Sequence, residues 1–554
     1  MTRALLVRLA GLALALVGGL GPAAASSPDE ALRRLLDEAR ASLPDACEDP
    51  SADALVRVLC AGEIRVGVRG EYPLFSTFEG DRRVGYDVDV ARAVATRLGV
   101  EPRWVHVRAA TRISELAEGG ADVVIATMGH NTRRDAEARF IRPHYYRSET
   151  IVVGPRETHV HGWDDLPGRS VCVTIGNYSN AYIVSQGARL MLFDDASRLP
   201  MGLRDESCLL AAQDDSFFAF YLADPDFAAR FEAKFGFDAV PWGMAVAKTG
   251  SERLAEALEL ISQIMHRDGT FLAIARQHGI FTAFLEEQHR RWGEPACASA
   301  AAINDPRCVL PALDATLPPT RFAAQVQAAL MWMERQVGVA PTLPMLTSLP
   351  AWEIFKAGVV NSLILVLGAL AATLVFALVI GAASAAPSRV VRIPAWLVVV
   401  TLQSSPVILT LVVAAALAHA IFTYSPGMAL GSAIVALGLM NGCNAGQAIG
   451  EAAESLRREG TCRPGLTLPS FTAAVRRSMT QILSFLVNAA KGTPIASFVG
   501  APELLSALTD ITSFAAGRAT TYTLVLLFYV GVVGGVVWAC ERIRTWLERA
   551  RLVA

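Results

Sequence analysis

Three runs of this chain contain no Asp, Glu, Lys or Arg: residues 357–388, 393–450 and 519–540. A helix crosses the hydrocarbon core of a bilayer with about 20 apolar residues, so the first and third runs hold one span each and the middle run holds two. Buried helices of a large soluble protein rarely sustain such runs. Arg389 and Arg392 follow the first run, Arg457, Arg458 and Arg463 the second, with Arg476 and Arg477 close behind, and Arg542, Arg544, Arg549 and Arg551 the third. Arginines collect on the cytoplasmic side, and correct alternation then requires a further span between Ser478 and Gly517, for about five in all. The N-terminal side lies outside and the C-terminal end inside.

The remainder of the chain is different. Of 554 residues 53% are hydrophobic and only 18% charged, below the ~25% usual for soluble domains, yet residues 31–340 carry charges throughout. The chain is therefore expected to be part soluble and part membrane. A net charge of −2 offers no basic surface and argues against a nucleic-acid partner. At the start, Arg3 and Arg8 precede the apolar run Leu9 to Leu20 and the small residues Ala23-Ala24-Ala25-Ser26. That is the pattern of a secretory signal peptide over residues 1–25, so the chain from residue 26 to the first span is exported.

Six cysteines precede the spans, an even number that permits three disulfides in an oxidising compartment. The sequence-near pairs Cys47–Cys60 and Cys297–Cys308, with Cys172–Cys208 as a third, are preferred among the fifteen possible connectivities. Cys443, Cys462 and Cys540 lie within or after the spans. No Cys or His cluster has metal-ligand spacing, and no metal is expected.

From Glu63 onward short apolar runs alternate with amphipathic ones. Ile64 to Val68, Ala121 to Ala126 and Ser170 to Thr174 read as strands. Val88 to Leu98 reads as a helix, with Asp87 placed to cap its start. This alternation predicts an α/β fold with a largely parallel sheet. Residues 26–58 read as an N-terminal helical segment, 59–280 as the exported domain, 281–350 as a Pro-rich linker with a possible disulfide, and 351–554 as an all-α transmembrane domain.

The exported part resembles periplasmic amino-acid-binding proteins. The resemblance rests on Arg65-Val66-Gly67-Val68, Tyr72-Pro73-Leu74-Phe75, Gly85-Tyr86-Asp87-Val88-Asp89, Gly120-Ala121-Asp122, Ala126 to Arg134, and Tyr145-Tyr146. It continues through Gly168-Arg169-Ser170-Val171, Gly176, Asp214 and Trp242-Gly243-Met244-Ala245-Val246. It implies a two-lobed α/β fold closing on a solute. A zwitterion leaves water only if a cation meets its carboxylate and an anion its ammonium, and the arginine fork suits a carboxylate. By the resemblance, the carboxylate ligand falls at Arg134 rather than Arg133. The ammonium ligand falls at Asp214, with Asp215 one residue away, and a packing aromatic at Tyr72. Asn177 and Tyr178 follow Gly176 where second-lobe donors sit. Gly129 and Asn131 stand where that family usually has hydroxyl residues.

The membrane part resembles the permease subunits of polar amino-acid ABC importers, over residues 352–554. Asn361-Ser362, Gln403-Ser404-Ser405-Pro406, Lys491-Gly492-Thr493-Pro494-Ile495 and Glu503-Leu504-Leu505 carry the likeness. Glu451, Ala452, Ala453 and Leu456 match the helix that couples such a permease to its ATPase, although Arg457 holds the position of the usual glycine. No phosphate-cradling Gly-x-x-x-x-Gly-Lys-Ser/Thr loop occurs, so the ATPase is expected on another chain, and no cofactor is expected in this one. The resemblances together imply a fused receptor and permease in the inner membrane, non-enzymatic, importing an amino acid or similar small polar solute as a homodimer or heterodimer of permease domains. The alternative is a ligand-sensing receptor or channel built on the same binding fold. All spans here follow the second lobe, whereas such channels insert the pore between lobes.

Overall fold

The computed structural model describes residues 26–43, 47, 53–338, 341–421, 426–460, 467–515 and 517–553. The signal-peptide segment, Cys462 and Arg463 lie outside them. The chain divides into two compact units, 1–316 and 317–554.

Among the described residues the first unit holds twelve strands. They are β1 (Glu63–Arg69), β2 (Thr77–Glu79), β3 (Arg82–Val84), β4 (Glu101–Val107), β5 (Val123–Val124) and β6 (Ala138–Phe140), then β7 (Tyr146–Pro155), β8 (Ser170–Thr174), β9 (Arg189–Phe193), β10 (Leu210–Asp214), β11 (Phe231–Trp242) and β12 (Ala245–Ala247). One five-stranded sheet has the order β4-β1-β5-β12-β6 and the other β11-β7-β10-β8-β9, so each is the centre of a lobe. Both are mixed: β1 runs parallel to β4 and β5, while β12 is antiparallel to β5 and β6. In the second lobe β8 is parallel to β9 and β10, and β7 antiparallel to β10 and β11. The α/β expectation holds, with antiparallel strands entering where the chain crosses between lobes. It crosses at 141–145 and again at Gly243-Met244. The crossings bond to each other, Ile141 N–H to the Met244 carbonyl at 2.8 Å and Tyr145 N–H to the Trp242 carbonyl at 3.0 Å.

The helix Tyr86–Leu98 forms as the pattern predicts, but its N-cap is Gly85, not Asp87. Gly85 has φ +128°, and a Cβ there would lie 2.3 Å from the Phe75 carbonyl oxygen. Asp87 lies further in, within the first turn, and is fully buried. Its carboxylate accepts from Thr127 N–H in the loop after β5 instead of from its own helix.

Residues 283–316 are part of this unit rather than a linker. They contain the helix Ala283–Gly293 and two short 3-10 turns. Leu313 then pairs with the loop beside Arg134: its N–H donates to the His130 carbonyl, and its carbonyl accepts from Thr132 N–H, both at 3.0 Å. The disulfides Cys47–Cys60, Cys172–Cys208 and Cys297–Cys308 are formed. Cys443 and Cys540 are free and buried.

The second unit is helical. Among the described residues four helices are long and apolar enough to span a membrane: Leu349–Ala385, Gly427–Arg458, Met479–Val499 and Ala519–Trp546. A fifth span exists if Arg389–Ser404 and Val407–Ala418, bent by 116° across Ser405-Pro406, are counted as one. Proline at the bend removes a donor and stops the first helix. The helices starting at Leu349 and Pro426 pack through small residues. A Cβ at Gly438 would lie 2.3 Å from Ala372 Cβ, at Gly442 2.5 Å from Phe376 Cβ, and at Gly446 2.8 Å from Ile380 Cβ. In lipid, where apolar surface gains nothing from leaving water, such close backbone approach is what holds helices together.

Candidate functional site

The loop after β5 brings the cation. Arg134 opens a short 3-10 turn, Arg134–Ala136, and Asn131 Oδ1 accepts from its N–H at 3.0 Å. Asn131 is therefore buried with that oxygen already engaged by the backbone of the turn. Arg134 is 8% exposed, whereas Arg133 is half-buried. The Arg134 guanidinium donates to the Gly129 carbonyl at 2.7 Å and, across the cleft, to the Gly176 carbonyl at 3.0 Å. Burial pulls its pKa down to about 10. Gly129 is closely covered, since a Cβ there would lie 3.0 Å from both Val240 methyls. Gly176, at φ +91°, is required as glycine, because a Cβ would meet the Ala109 backbone at 2.8 Å. It is the point where the second lobe reaches this arginine.

The second lobe brings the anion. Asp214 ends β10 and is half-buried; its Oδ2 accepts from the Tyr72 hydroxyl at 2.6 Å. Desolvation pushes the carboxyl up to about 6, partly offset by the Tyr72 hydrogen bond and raised again by Asp215. Asp215 is otherwise engaged, its Oδ1 accepting from the Ser148 hydroxyl and from Glu149 and Ser216 N–H. Among the described residues Arg134 and Asp214 are not an ion pair; each is held by other groups.

Tyr72 is fully buried. Its ring lies 5.0 Å from Phe217 of the second lobe and 6.5 Å from Trp242, so it bridges the lobes by packing as well as by its hydroxyl. Asn177 Nδ2 donates to Gln213 Oε1 at 3.0 Å, and that oxygen also accepts from Asp214 N–H at 3.1 Å. Tyr178 hydroxyl contacts Thr150 Oγ1 at 3.3 Å and donates to the Asp238 carbonyl at 3.1 Å. Asn177 thus steadies the end of β10, and Tyr178 ties the second lobe together.

Three residues of this cleft are not among the binding-site candidates the sequence pattern offers. Arg112 is buried, with Nη1 donating to the carbonyls of Ala126 and Thr127 at 2.8 and 3.0 Å. Burial drives its pKa well down, helped by repulsion from Arg134 and Arg69. Asp87, expected only as a helix cap, is pushed well up by burial. Arg69, at the end of β1, is 2% exposed and lies over the Tyr72 ring at 5.0 Å. Its signal was available: a charged residue closing the apolar strand Val66-Gly67-Val68.

In the second unit the helix Pro426–Arg458 runs unbroken through Glu451, Ala452, Ala453 and Leu456. Ala452 and Ala453 are buried in a cluster with Ala474 and Ile482. Glu451 is exposed and lines a cleft of about 650 Å³ with Arg392, Trp396, Gln403, Glu454 and Arg458. The Asn361-Ser362 and Glu503-Leu504-Leu505 segments meet: Ser362 Oγ accepts from Leu504 N–H at 2.9 Å, and Asn361 Nδ2 donates to the Pro502 carbonyl at 2.8 Å. The Lys491 to Ile495 segment marks the change from the helix Met479–Gly492 to the 3-10 stretch Thr493–Val499.

Residues 64–280 match the family of bacterial extracellular solute-binding proteins, family 3. That domain is followed by the helices described above, with four or five candidate membrane spans. The arginine-binding extracellular protein ArtP of Bacillus subtilis is 28% identical over 112 residues, 20% of this chain and 44% of its own length. An L-arginine-binding protein of Pseudomonas aeruginosa is 23% identical over 145 residues, 25% of this chain and 56% of its own. The chain thus spans about half the length of these curated relatives. Among solved structures, the cysteine-binding protein of Campylobacter jejuni is 20% identical, with 41% of this chain and 92% of that one covered at a TM-score of 0.38. The architecture is that of a periplasmic binding protein, two mixed α/β sheets, followed by a largely helical region of long apolar helices.

Proposed function

We propose that the chain is an importer subunit in which an amino-acid receptor and a membrane permease domain are fused. The observation that carries the receptor half is the placement of Arg134 and Asp214. A buried guanidinium comes from one lobe and a desolvated carboxylate from the other, and the two do not neutralise each other. That is the donor set a zwitterion needs, since an uncompensated charge in such a place is costly. Tyr72 supplies the apolar wall and orients the carboxylate. Domain closure joins the lobes through Arg134 to Gly176 and Tyr72 to Asp214.

The permease half rests on the long apolar helices and on the resemblance of their connecting segments. The binding unit then lies on the outer side of the inner membrane, and fusion keeps the receptor at high effective concentration over its permease. Energy comes from a separate ATPase, docking where Glu451 and its neighbours reach the end of their helix, and two permease domains pair as a homodimer or heterodimer. The full-length chain in lipid nanodiscs, titrated calorimetrically with the twenty amino acids, tests the receptor half. Micromolar binding of at least one, lost in Arg134→Ala, is expected; silence from all twenty in a folded chain overturns it. An ATPase that copurifies, and whose turnover rises with ligand, supports the permease half. Ligand-evoked current without ATP overturns it in favour of a channel.

A further inference from the structure

The residues matched to the solute-binding family end at 280, and the chain that follows folds back onto the loop carrying Arg134. Its base is fastened by the Cys297–Cys308 disulfide, with Cys308 and Val309 buried beside Trp292. Further on, Leu313 makes its two backbone bonds to His130 and Thr132. Ala315, 2% exposed, then donates its N–H to Thr132 Oγ1 at 3.2 Å. The ligand loop is thus paired along one side by a strap that lies outside the matched residues.

The second unit takes hold of the chain directly afterwards. The Pro318 carbonyl accepts from Leu349 N–H at 2.7 Å, Thr320 N–H donates to the Thr347 carbonyl at 3.2 Å, and the Thr320 hydroxyl donates to the Leu346 carbonyl at 2.6 Å. Leu349 opens the first long apolar helix. Between Ala315, bonded to the ligand loop, and Pro318, bonded to the head of that helix, stand only Thr316 and Leu317. A residue adds at most about 3.6 Å of reach. Such a connection holds little slack, whereas a long flexible tether leaves its two ends independent.

His130 joins this strap to the crossings between the lobes. Its N–H donates to the Pro241 carbonyl at 2.7 Å, beside the second crossing, and its carbonyl accepts from Leu313. Its ring is 4% exposed and stacked on Phe140 at 4.5 Å. Nδ1 lies 2.7 Å from His144 Nε2 in the first crossing, and Nε2 lies 2.8 Å from Asp135 Oδ1. A hinge motion is absorbed by the few residues between lobes, so a residue bonded beside both crossings and to the strap moves with them.

We propose that residues 309–320 are a strap that carries lobe closure on the solute into the head of the first span, and that His130 is the positioning residue where the strap takes up that motion. The proposal rests on the receptor reading above and goes beyond it, because it makes the connection itself the route of the signal. Coupling of this kind is a contiguous bonded path, and it is measurable.

The test follows amide hydrogen exchange in the full-length chain in nanodiscs, with and without the twenty common amino acids added together. With them, exchange at Thr132 and Leu313 is expected to slow, and exchange at Thr320 and Leu349 to shift with it. Slowing at the first pair with no shift at the second overturns the inference and leaves the receptor reading intact. A Gly-Ser spacer inserted between Thr316 and Leu317 should abolish the shift at Thr320 and Leu349 and spare the slowing at Thr132 and Leu313. A shift that survives the spacer also overturns the inference, because the signal then travels by another route. His130→Phe keeps the stacking on Phe140 and removes the nitrogen facing His144; it should reduce the shift, and a full shift removes His130 from the path. If that variant does not fold, the spacer decides alone. No change at any of these amides in a folded chain overturns the receptor reading and the strap with it.

Discussion

Glu503 of the membrane unit and three charged residues of the binding-unit cleft are held in opposite ways. In the membrane unit Glu503 is fully buried, yet its carboxylate accepts from Leu505 N–H at 2.7 Å, from Ser506 N–H at 3.0 Å and from the Tyr529 hydroxyl. It caps the helix Leu504–Thr512 and ties it to the last span. In the binding unit Arg69, Asp87 and Arg112 each keep a buried polar atom without a partner among the described residues. A polar group whose every lone pair or proton is matched by its own chain is architecture. Those in the cleft between the two lobes keep polar atoms that the chain itself does not match, and such unmatched groups carry a desolvation cost.

The sharpest way to break this contrast is Arg134→Ala. Removing one partner of a buried charge contact costs about 3–5 kcal/mol, so ligand affinity should fall beyond calorimetric detection, while Arg133→Ala, half-buried and outside the contact, leaves it nearly unchanged. Equal effects of the two would erase the distinction. Next in size is the Cys172–Cys208 bridge, which closes a loop of sequence separation 36. Its removal in the Cys172→Ser, Cys208→Ser double variant should lower stability by about 3–4 kcal/mol from loop entropy, seen as a fall in Tm of the binding unit with no fall in that of the membrane unit.

Glu503→Ala should destabilise by about 2–3 kcal/mol through its orphaned donors, read as an earlier thermal transition in detergent. Ligand affinity should not move; a parallel loss of binding would mean that Glu503 does more than cap. A pH titration has a smaller effect. Between the ordinary carboxyl value of 3.8 and about 6, folded Asp214 holds a proton that the unfolded chain has lost. Raising the pH through that window therefore lowers folding stability. Ligand affinity runs the other way, because the ammonium needs the ionised form, and should drop about tenfold from pH 7 to pH 5. Asp214→Asn should bind weakly and without that slope, with Tyr72, Asp215, Arg112 and Arg69 left to set any remainder. The smallest effect is Asn131→Ala. Loss of its bond to Arg134 N–H is worth about 1 kcal/mol, a several-fold loss of affinity measurable in the same titration.

The features legible in the chain are those set by short-range physics. Charge-free runs long enough to cross a bilayer announce helices wherever they occur. The alternation of Ile64, Val66 and Val68 with the helix at Val88 announces a covered sheet. Spacing alone could not place Asp87, since helix position and capping chemistry both favour a cap, and only the approach of Thr127 from another loop draws its carboxylate inward. Nor could it see that residues 283–316 belong to the binding unit, because Leu313 meets His130 and Thr132 from a distant part of the chain. The bend at Ser405-Pro406 was legible as a proline, but not as a 116° reversal.

The sequence by itself determined the two-part organisation, the α/β class and which arginine and aspartate were candidates, since hydrophobic periodicity and charge are properties of neighbouring residues. Only the tertiary structure decided how those candidates are used. It assigned Asp215 to Ser148 and Ser216, gave Asp214 to Tyr72, and left Arg69 in the cleft without a partner for its Nε and Nη2 among the described residues. Partnership is a property of groups that folding brings together from distant parts of the chain, and no local pattern records it.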